Sequence, residues 1–333
     1  MLSASDVDAA ARRLDGAVVR TPVVSSPALT REVGVPVVCK TENLQHTGAF
    51  KYRGALHALL GLSDTQRKRG VVGASSGNHG GALALAGHEL GVPVTVVLPS
   101  DVPAVKADRA RVLGAQVVSY DRHTQDRDAL VAELAAEHGY TIVPSADHPA
   151  VMAGAGTVAV ELLSQVPDVR TVLVPVGGGG LAAGCATWLA EAAPHVRGIG
   201  VEPEDAADTA ASLLVGERVR IDVPTTCADG LRHTTPPPGS FEVNQRLLAG
   251  IVTVSEADIA TAMSWCFEHL RLVVEPSGAT ALAALSARWG EIGEGPVGVV
   301  LSGGNVSRET FVRLVGESGG NPVRGLREHE HAA

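Results

Sequence analysis

The sequence predicts an α/β protein made of two open, mostly parallel-sheet α/β domains with a cleft between them. Three observations predict it. Short β-branched runs alternate with Ala/Leu-rich stretches of helical spacing along most of the chain, the pattern of parallel sheets covered on both faces. The length of 333 residues corresponds to about two domains. Glycine accounts for 38 of them, well above the usual ~7%, so many positions bend sharply or are approached closely by something else.

The strand-like runs, in order, are VPVVCK (35–40), VVGA (71–74), VPVTVVLP (92–99), AQVVSY (115–120), TVLVPV (171–176), RGIGVE (197–202) and PVGVVLS (296–302). The helical stretches between them include 78–90, 103–113, 124–138, 181–193, 255–271 and 277–289. The clearest loop is TTPPPGS (234–240). One series of strand–helix units runs from about 70 to TIVPSAD near 147, and a second from 148 to 317. The expected division is a large unit of 1–69 with 148–317, a small mobile unit of 70–147, and a flexible tail of 318–333.

Composition narrows the function. A hydrophobic fraction of 45% is enough for a large core and excludes disorder as the main description. No run of about 18 apolar residues suggests a membrane span, and the start MLSASDVDAAARRLDG lacks the pattern of a signal peptide. Cys39, Cys185, Cys227 and Cys266 lie far apart with no CxxC pair, which argues against a disulfide framework or zinc module and fits the cytoplasm. A net charge of -9 argues against nucleic acid as a partner. Only four of the 27 basic residues are lysines (Lys40, Lys51, Lys68, Lys106). Lysine alone among the cations supplies an amine that deprotonates and forms an imine.

Five segments carry chemistry. In VPVGGGGLAAG (174–184) a buried strand runs into Gly177, Gly178, Gly179 and Gly180, and a helix opens at Leu181. Consecutive bare N–H groups at a positive helix end form a phosphate cradle. Taken alone, this run also nearly fits a nicotinamide-dinucleotide fingerprint, with Glu202 ending the next strand. In HTGAFKYRGALHALL (46–60) Lys51 lies between Phe50 and Tyr52 at a helix start, a setting that lowers a lysine pKa; a snorkelling surface lysine is the plain alternative. In GASSGNHGGALALAGHEL (73–90) a strand ends in Ser75 and Ser76, then Asn78 and His79 open a helix. These donors suit a carboxylate, and Ser76 or Asn78 as a simple N-cap is the alternative. VVLSGGNVS (299–307) places Ser302 at a strand end, and VEPEDAAD (201–208) gathers carboxylates in what could equally be a solvated loop.

The order of KTENLQHTGAFKYRGA, SSGNHG, PVGGGGL, VEPEDAAD, ADGLR, VEPSGA and LSGGN resembles the fold-type II pyridoxal-phosphate enzymes (tryptophan synthase β-like), in particular the serine/threonine dehydratase and serine racemase branch. The resemblance implies a cofactor in the cleft, held by Lys51 as an imine, with Lys51 also the base at Cα. It implies that Phe50 packs on the cofactor ring and Asn78 bonds its 3-hydroxyl. Gly177 to Gly180 and Leu181 would hold the phosphate, and Ser302 would face the ring nitrogen. Ser75, Ser76, Asn78 and His79 would receive the substrate carboxylate, and Ser76 matches the proton carrier of the racemases. Glu202, the Ala206 carbonyl and Asp208 match a divalent-cation site for Mg²⁺, Mn²⁺ or Ca²⁺. His233, after ADGLR, replaces a small hydroxyl residue and would border the substrate side chain. Gly81 stands where many relatives carry Gln, a position tied to nucleotide activation in some racemases. The activity implied is elimination of the β-hydroxyl from L-serine, L-threonine or a related 3-hydroxy amino acid such as threo-3-hydroxyaspartate, giving a 2-oxo acid and ammonia. Serine racemisation is the alternative. A homodimer and a small-molecule amino-acid substrate are implied as partners.

Overall fold

The computed structural model describes residues 2–75, 77–100, 104–121, 124–287, 292 and 295–317. The tail 318–333 and Ser76 lie outside the described residues. Among the described residues there are ten strands: β1 Val23–Ser25, β2 Val37–Thr41, β3 Val71–Ala74, β4 Val94–Pro99, β5 Gln116–Tyr120, β6 Thr141–Ile142, β7 Thr171–Pro175, β8 Arg197–Pro203, β9 Gly250–Val254 and β10 Val297–Leu301. They form a six-stranded sheet ordered β1-β2-β10-β7-β8-β9 and a four-stranded sheet ordered β5-β4-β3-β6. Every pairing is parallel except that of β1 with β2.

The central strands of the larger sheet are continuous apolar runs because both faces are covered. TVLVP (β7) and VGVVL (β10) are buried at every residue. Their side chains alternate between two cores, as the pleat requires. Leu173 and Val299 join Val37, Ile199 and Met263 on one face. Val172, Val174 and Val300 join Leu162, Leu181 and Leu189 on the other. The smaller sheet divides likewise, with Val71, Val94 and Val96 facing one cluster and Val72, Val97 and Tyr120 another.

The helix Pro149–Gln165 sets the spacing between the helices it packs against. It was passed over in the sequence because its MAGAGTV core is too rich in small residues to show a stripe. Those small residues are its function. A Cβ on Gly154 would meet the Arg53 carbonyl at 2.6 Å, and one on Gly156 would meet the Gly184 carbonyl at 2.6 Å. The helix thus presses backbone to backbone on Lys51–Leu60 on one side and on Gly180–Ala192 on the other. It thereby fixes the helix that carries Lys51 against the helix that opens from the glycine run.

Several boundaries differ from expectation. The 255–271 stretch is α-helical only over Glu256–Trp265 and loosens into a π turn, Cys266–Leu270, before Arg271 at φ 61°. The loop expected at 234–240 ends early, because Pro238 starts the helix Pro238–Leu247; its fixed φ suits a first helical turn. The helix Asn78–Leu90 takes Gly77 as its N-cap, with no side-chain cap among the described residues, so Asn78 is not spent there. The strands β1, β6 and β9 lie outside the seven strand-like runs of the sequence. Among the described residues no helix is long and apolar enough to cross a membrane.

Candidate active site

Lys51 is placed by the strand ends of the larger sheet. Short turns, Glu42–Leu44 and His46–Gly48, follow β2. Ala49 then bridges to Gly303, and the Phe50 N–H donates to the Ser302 carbonyl at 3.0 Å. Lys51 opens the next helix with no side-chain cap before it. Its Nζ donates to the Ser145 carbonyl at 2.6 Å and lies 4.9 Å from the Phe50 ring centroid. Burial pulls the amine down to about 8, so a substantial neutral fraction exists near neutrality.

Behind Lys51 the helix is anchored by a buried ionic network. Arg53 donates to Glu42 at 2.7 and 2.9 Å and to Glu161 at 2.7 and 2.9 Å. Lys40 donates to Glu161 at 2.6 Å, to the Thr21 carbonyl at 2.7 Å and to Gln165 at 2.9 Å. Two cations against two carboxylates balance in charge, and bidentate pairing meets the desolvation demand of each.

The glycine run is bent by β7 and crowded from all sides. Gly179 has φ +75°, and a Cβ there would meet Asn244 Nδ2 at 2.5 Å. A Cβ on Gly178 would meet the Ala146 Cβ at 2.8 Å and His233 Cε1 at 3.0 Å, and one on Gly180 would meet the Ala146 carbonyl at 2.7 Å. A Cβ on Gly177 would meet Leu231 Cα at 3.0 Å. Only glycine fits this turn, and the helix Gly180–Ala192 opens from it with no side-chain cap. First-turn amides up to Leu181 are therefore free of intrahelical partners.

Asn78 faces the same region, tied on both sides. Its Nδ2 donates to Glu275 Oε1 at 2.6 Å, and its Oδ1 accepts from Asn305 Nδ2 at 2.8 Å. Asn305 Nδ2 also donates to the Thr47 carbonyl at 2.6 Å. Glu275 and Asn305 were within quoted motifs, VEPSGA and LSGGN, but drew no role from sequence; their link to Asn78 exists only in the fold. Ser302 is buried at the end of β10, with its Oγ 3.4 Å from the Ser277 carbonyl. Ser75 Oγ accepts from the Gly77 N–H at 3.2 Å.

His79 is buried, and burial followed by the charge of Lys51 pulls its imidazole down to about 3. It is neutral, and its Nε2 lies 2.9 Å from the Val143 carbonyl. A carbonyl only accepts, so the proton sits on Nε2 and Nδ1 presents a lone pair. That Nδ1 is buried without a partner. The side chain thus has no N–H left for a carboxylate, and any donation from His79 comes from its backbone amide in the first helical turn. His233 lies against Gly178, pulled down to about 4 by burial first, then by the charges of Lys51 and Arg127.

Glu202, at the end of β8, accepts from the Thr209 N–H at 3.1 Å and the Ala210 N–H at 2.8 Å. Those bonds cap the helix Asp208–Val215. Burial pushes Glu202 and Asp208 above the usual carboxylate range; the Asp208 charge raises Glu202 further, while hydrogen bonding, including that with Glu202, draws Asp208 part of the way back. Both Asp208 oxygens are buried without a hydrogen bond of normal geometry. Such orphaned oxygens beside a second carboxylate fit a hard cation. Among the described residues no group of three or more His, Cys, Asp or Glu side chains forms a metal cluster.

Comparison with known proteins agrees with this arrangement. Residues 14–303 match the family described as pyridoxal-phosphate dependent enzyme. An L-threo-3-hydroxyaspartate ammonia-lyase of a Pseudomonas species is 42% identical over 310 residues, 93% of this chain and 97% of that protein. An L-threonine ammonia-lyase of Geobacter sulfurreducens is 40% identical over 315 residues, 95% of this chain and 78% of that protein. The solved structure of maize serine racemase matches with a TM-score of 0.88 at 34% identity, over 99% of each chain. The dinucleotide alternative for the glycine run gives way to these matches, and this chain belongs to the family of pyridoxal-phosphate-dependent enzymes.

Proposed function

We propose that this chain is an ammonia-lyase that converts a 3-hydroxy amino acid to a 2-oxo acid and ammonia. The observation that carries it is Lys51: a lysine lowered to about 8 by burial, beside the glycine turn, in a family defined by its cofactor. The residues fit pyridoxal phosphate, since a turn that admits no Cβ faces a reactive amine with its helix-start amides uncapped. When bound, the cofactor supplies an electron sink for charge developing at the substrate's Cα.

The chain's own residues do the rest. Amides of Gly177 to Gly180 and Leu181 would hold the phosphate. Phe50, beside Lys51, would pack against the cofactor ring, and Asn78 would offer its remaining amide hydrogen to the 3-hydroxyl. Ser302 would offer a hydroxyl to the ring nitrogen, a partner that does not force its protonation. Ser75 and the first-turn amides of Asn78–Leu90, including that of His79, receive the substrate carboxylate. The neutral Lys51 Nζ would take the Cα proton, the β-hydroxyl would leave with one proton as water, and hydrolysis of the enamine product would consume one water, giving one ammonia per 2-oxo acid. Ser76 keeps its proposed racemase role only by sequence. Glu202, the Ala206 carbonyl and Asp208 are proposed to hold a divalent cation that neutralises the buried carboxylates. The division into 1–69 with 148–317 and 70–147, and a homodimer, belong to the same reading.

The test is a substrate panel: L-serine, D-serine, L-threonine and L-threo-3-hydroxyaspartate, with pyridoxal phosphate and Mg²⁺ present. Release of 2-oxo acid from one or two members supports the lyase and names its substrate. D-serine as the main product from L-serine, without 2-oxo acid, transfers the reading to racemisation.

A further inference from the structure

The glycine turn is held from outside by residues that no motif marked. Ser240 Oγ donates to the Gly178 carbonyl at 2.8 Å, and Asn244 Nδ2 donates to the Gly179 carbonyl at 3.2 Å. Both side chains are buried and lie on the helix Pro238–Leu247. That helix has no side-chain cap of its own. Its first free amides are taken instead by Asp147, which accepts from the Ser240 N–H at 2.8 Å and the Gly239 N–H at 3.2 Å.

The peptide geometry makes these bonds directional. In a trans peptide the C=O and the following N–H point to opposite sides. Fixing the Gly178 and Gly179 carbonyls toward Pro238–Leu247 turns the N–H groups of Gly179 and Gly180 away from it. The Gly179 carbonyl also accepts the first helical bond, from the Ala183 N–H at 2.8 Å, so its orientation is determined twice. The segment 145–147, which carries Asp147, also places the Ser145 carbonyl on Lys51 and Ala146 against Gly178 and Gly180.

We propose that Ser240 and Asn244, on a helix capped from a distance by Asp147, are positioning residues that preset the glycine turn for the cofactor's phosphate. The inference rests on the reading of that turn as the phosphate site. A preformed turn meets the anion without reorganisation, which is where binding strength is gained.

The test uses the full-length chain freed of cofactor and titrated with pyridoxal phosphate and, separately, with pyridoxal. Both ligands react with Lys51, and only the first carries the phosphate. The ratio of the two affinities cancels any loss of folded protein, so a destabilised variant remains informative. Ser240→Ala and Asn244→Ala are each expected to weaken pyridoxal phosphate roughly three- to tenfold, the size of one hydrogen bond's contribution, and pyridoxal less than about twofold. Asp147→Ala is expected to act in the same direction. Equal weakening of both ligands, or an unchanged ratio, overturns the proposal. Equal affinity of the unsubstituted chain for both ligands removes the phosphate site itself, and the proposal with it.

Discussion

Lys51 Nζ donates a 2.6 Å hydrogen bond to the backbone carbonyl of Ser145, joining the helix after β2 to the segment that leaves the smaller sheet. A carbonyl accepts from an ammonium and from an amine alike. The contact therefore holds the nitrogen in place through protonation and deprotonation while exchanging no proton itself.

The pH dependence follows from the position of that amine. Burial lowers Lys51 to about 8, and the ammonium form is no base. We expect kcat to rise with pH and level off above about 8. Steady-state rates across a pH range in which the enzyme stays folded check this. A profile already flat well below that value assigns proton abstraction to another group.

Arg53 is expected to be structural. It is fully buried, and its fork spans Glu42 and Glu161. Arg53→Met leaves the buried Glu42 and the half-buried Glu161 against Lys40 alone, a break that costs about 3–5 kcal/mol when one partner of a buried pair is removed. Denaturant unfolding of the variant should show a loss of that order, and a change below ~1 kcal/mol contradicts the account of the network.

The carboxylate pair predicts a coupling of cation and pH. Glu202 and Asp208 titrate above the usual carboxylate range in the fold. The native state then binds more protons than the unfolded state, so their contribution to stability falls as pH rises above that range. A cation that binds the ionised pair offsets this. The rise in melting temperature on adding Mg²⁺, Mn²⁺ or Ca²⁺ should therefore grow with pH, and EDTA should reverse it. No response to cation or chelator at any pH removes the site.

His233 packs on Gly178 and feels the charges of Lys51 and Arg127, with Asp128 opposing them. We expect His233→Ser to change relative kcat/KM across the hydroxy amino acid panel more than it changes the Lys51-bound cofactor absorbance. Uniform loss across all substrates shows instead that His233 supports the turn.

What the sequence made legible was local. Seven strand runs and the glycine turn stand out because parallel strands read as apolar runs and only glycine fits a turn with φ +75°. Lys51 stands out because lysine is scarce. What stayed hidden depends on distant pairings. Asp147 caps amides 92 and 93 positions away, and Glu275 meets Asn78 across 197. No local pattern carries such contacts. The helix Pro149–Gln165 was hidden for a different reason: glycine and alanine where an apolar stripe is looked for, because neighbouring backbones occupy the space side chains would fill. His79 was read as a carboxylate ligand, and its tautomer restricts that role to the backbone amide.

The most direct measurement is of ammonia and 2-oxo acid released together, by the unsubstituted chain and by Lys51→Ala, from the best substrate of the panel. The account predicts equal amounts of the two products from the unsubstituted chain, and none from Lys51→Ala even with pyridoxal phosphate in excess. Release by Lys51→Ala at an undiminished rate, or a failure of the unsubstituted chain to release either product from any hydroxy amino acid, contradicts it.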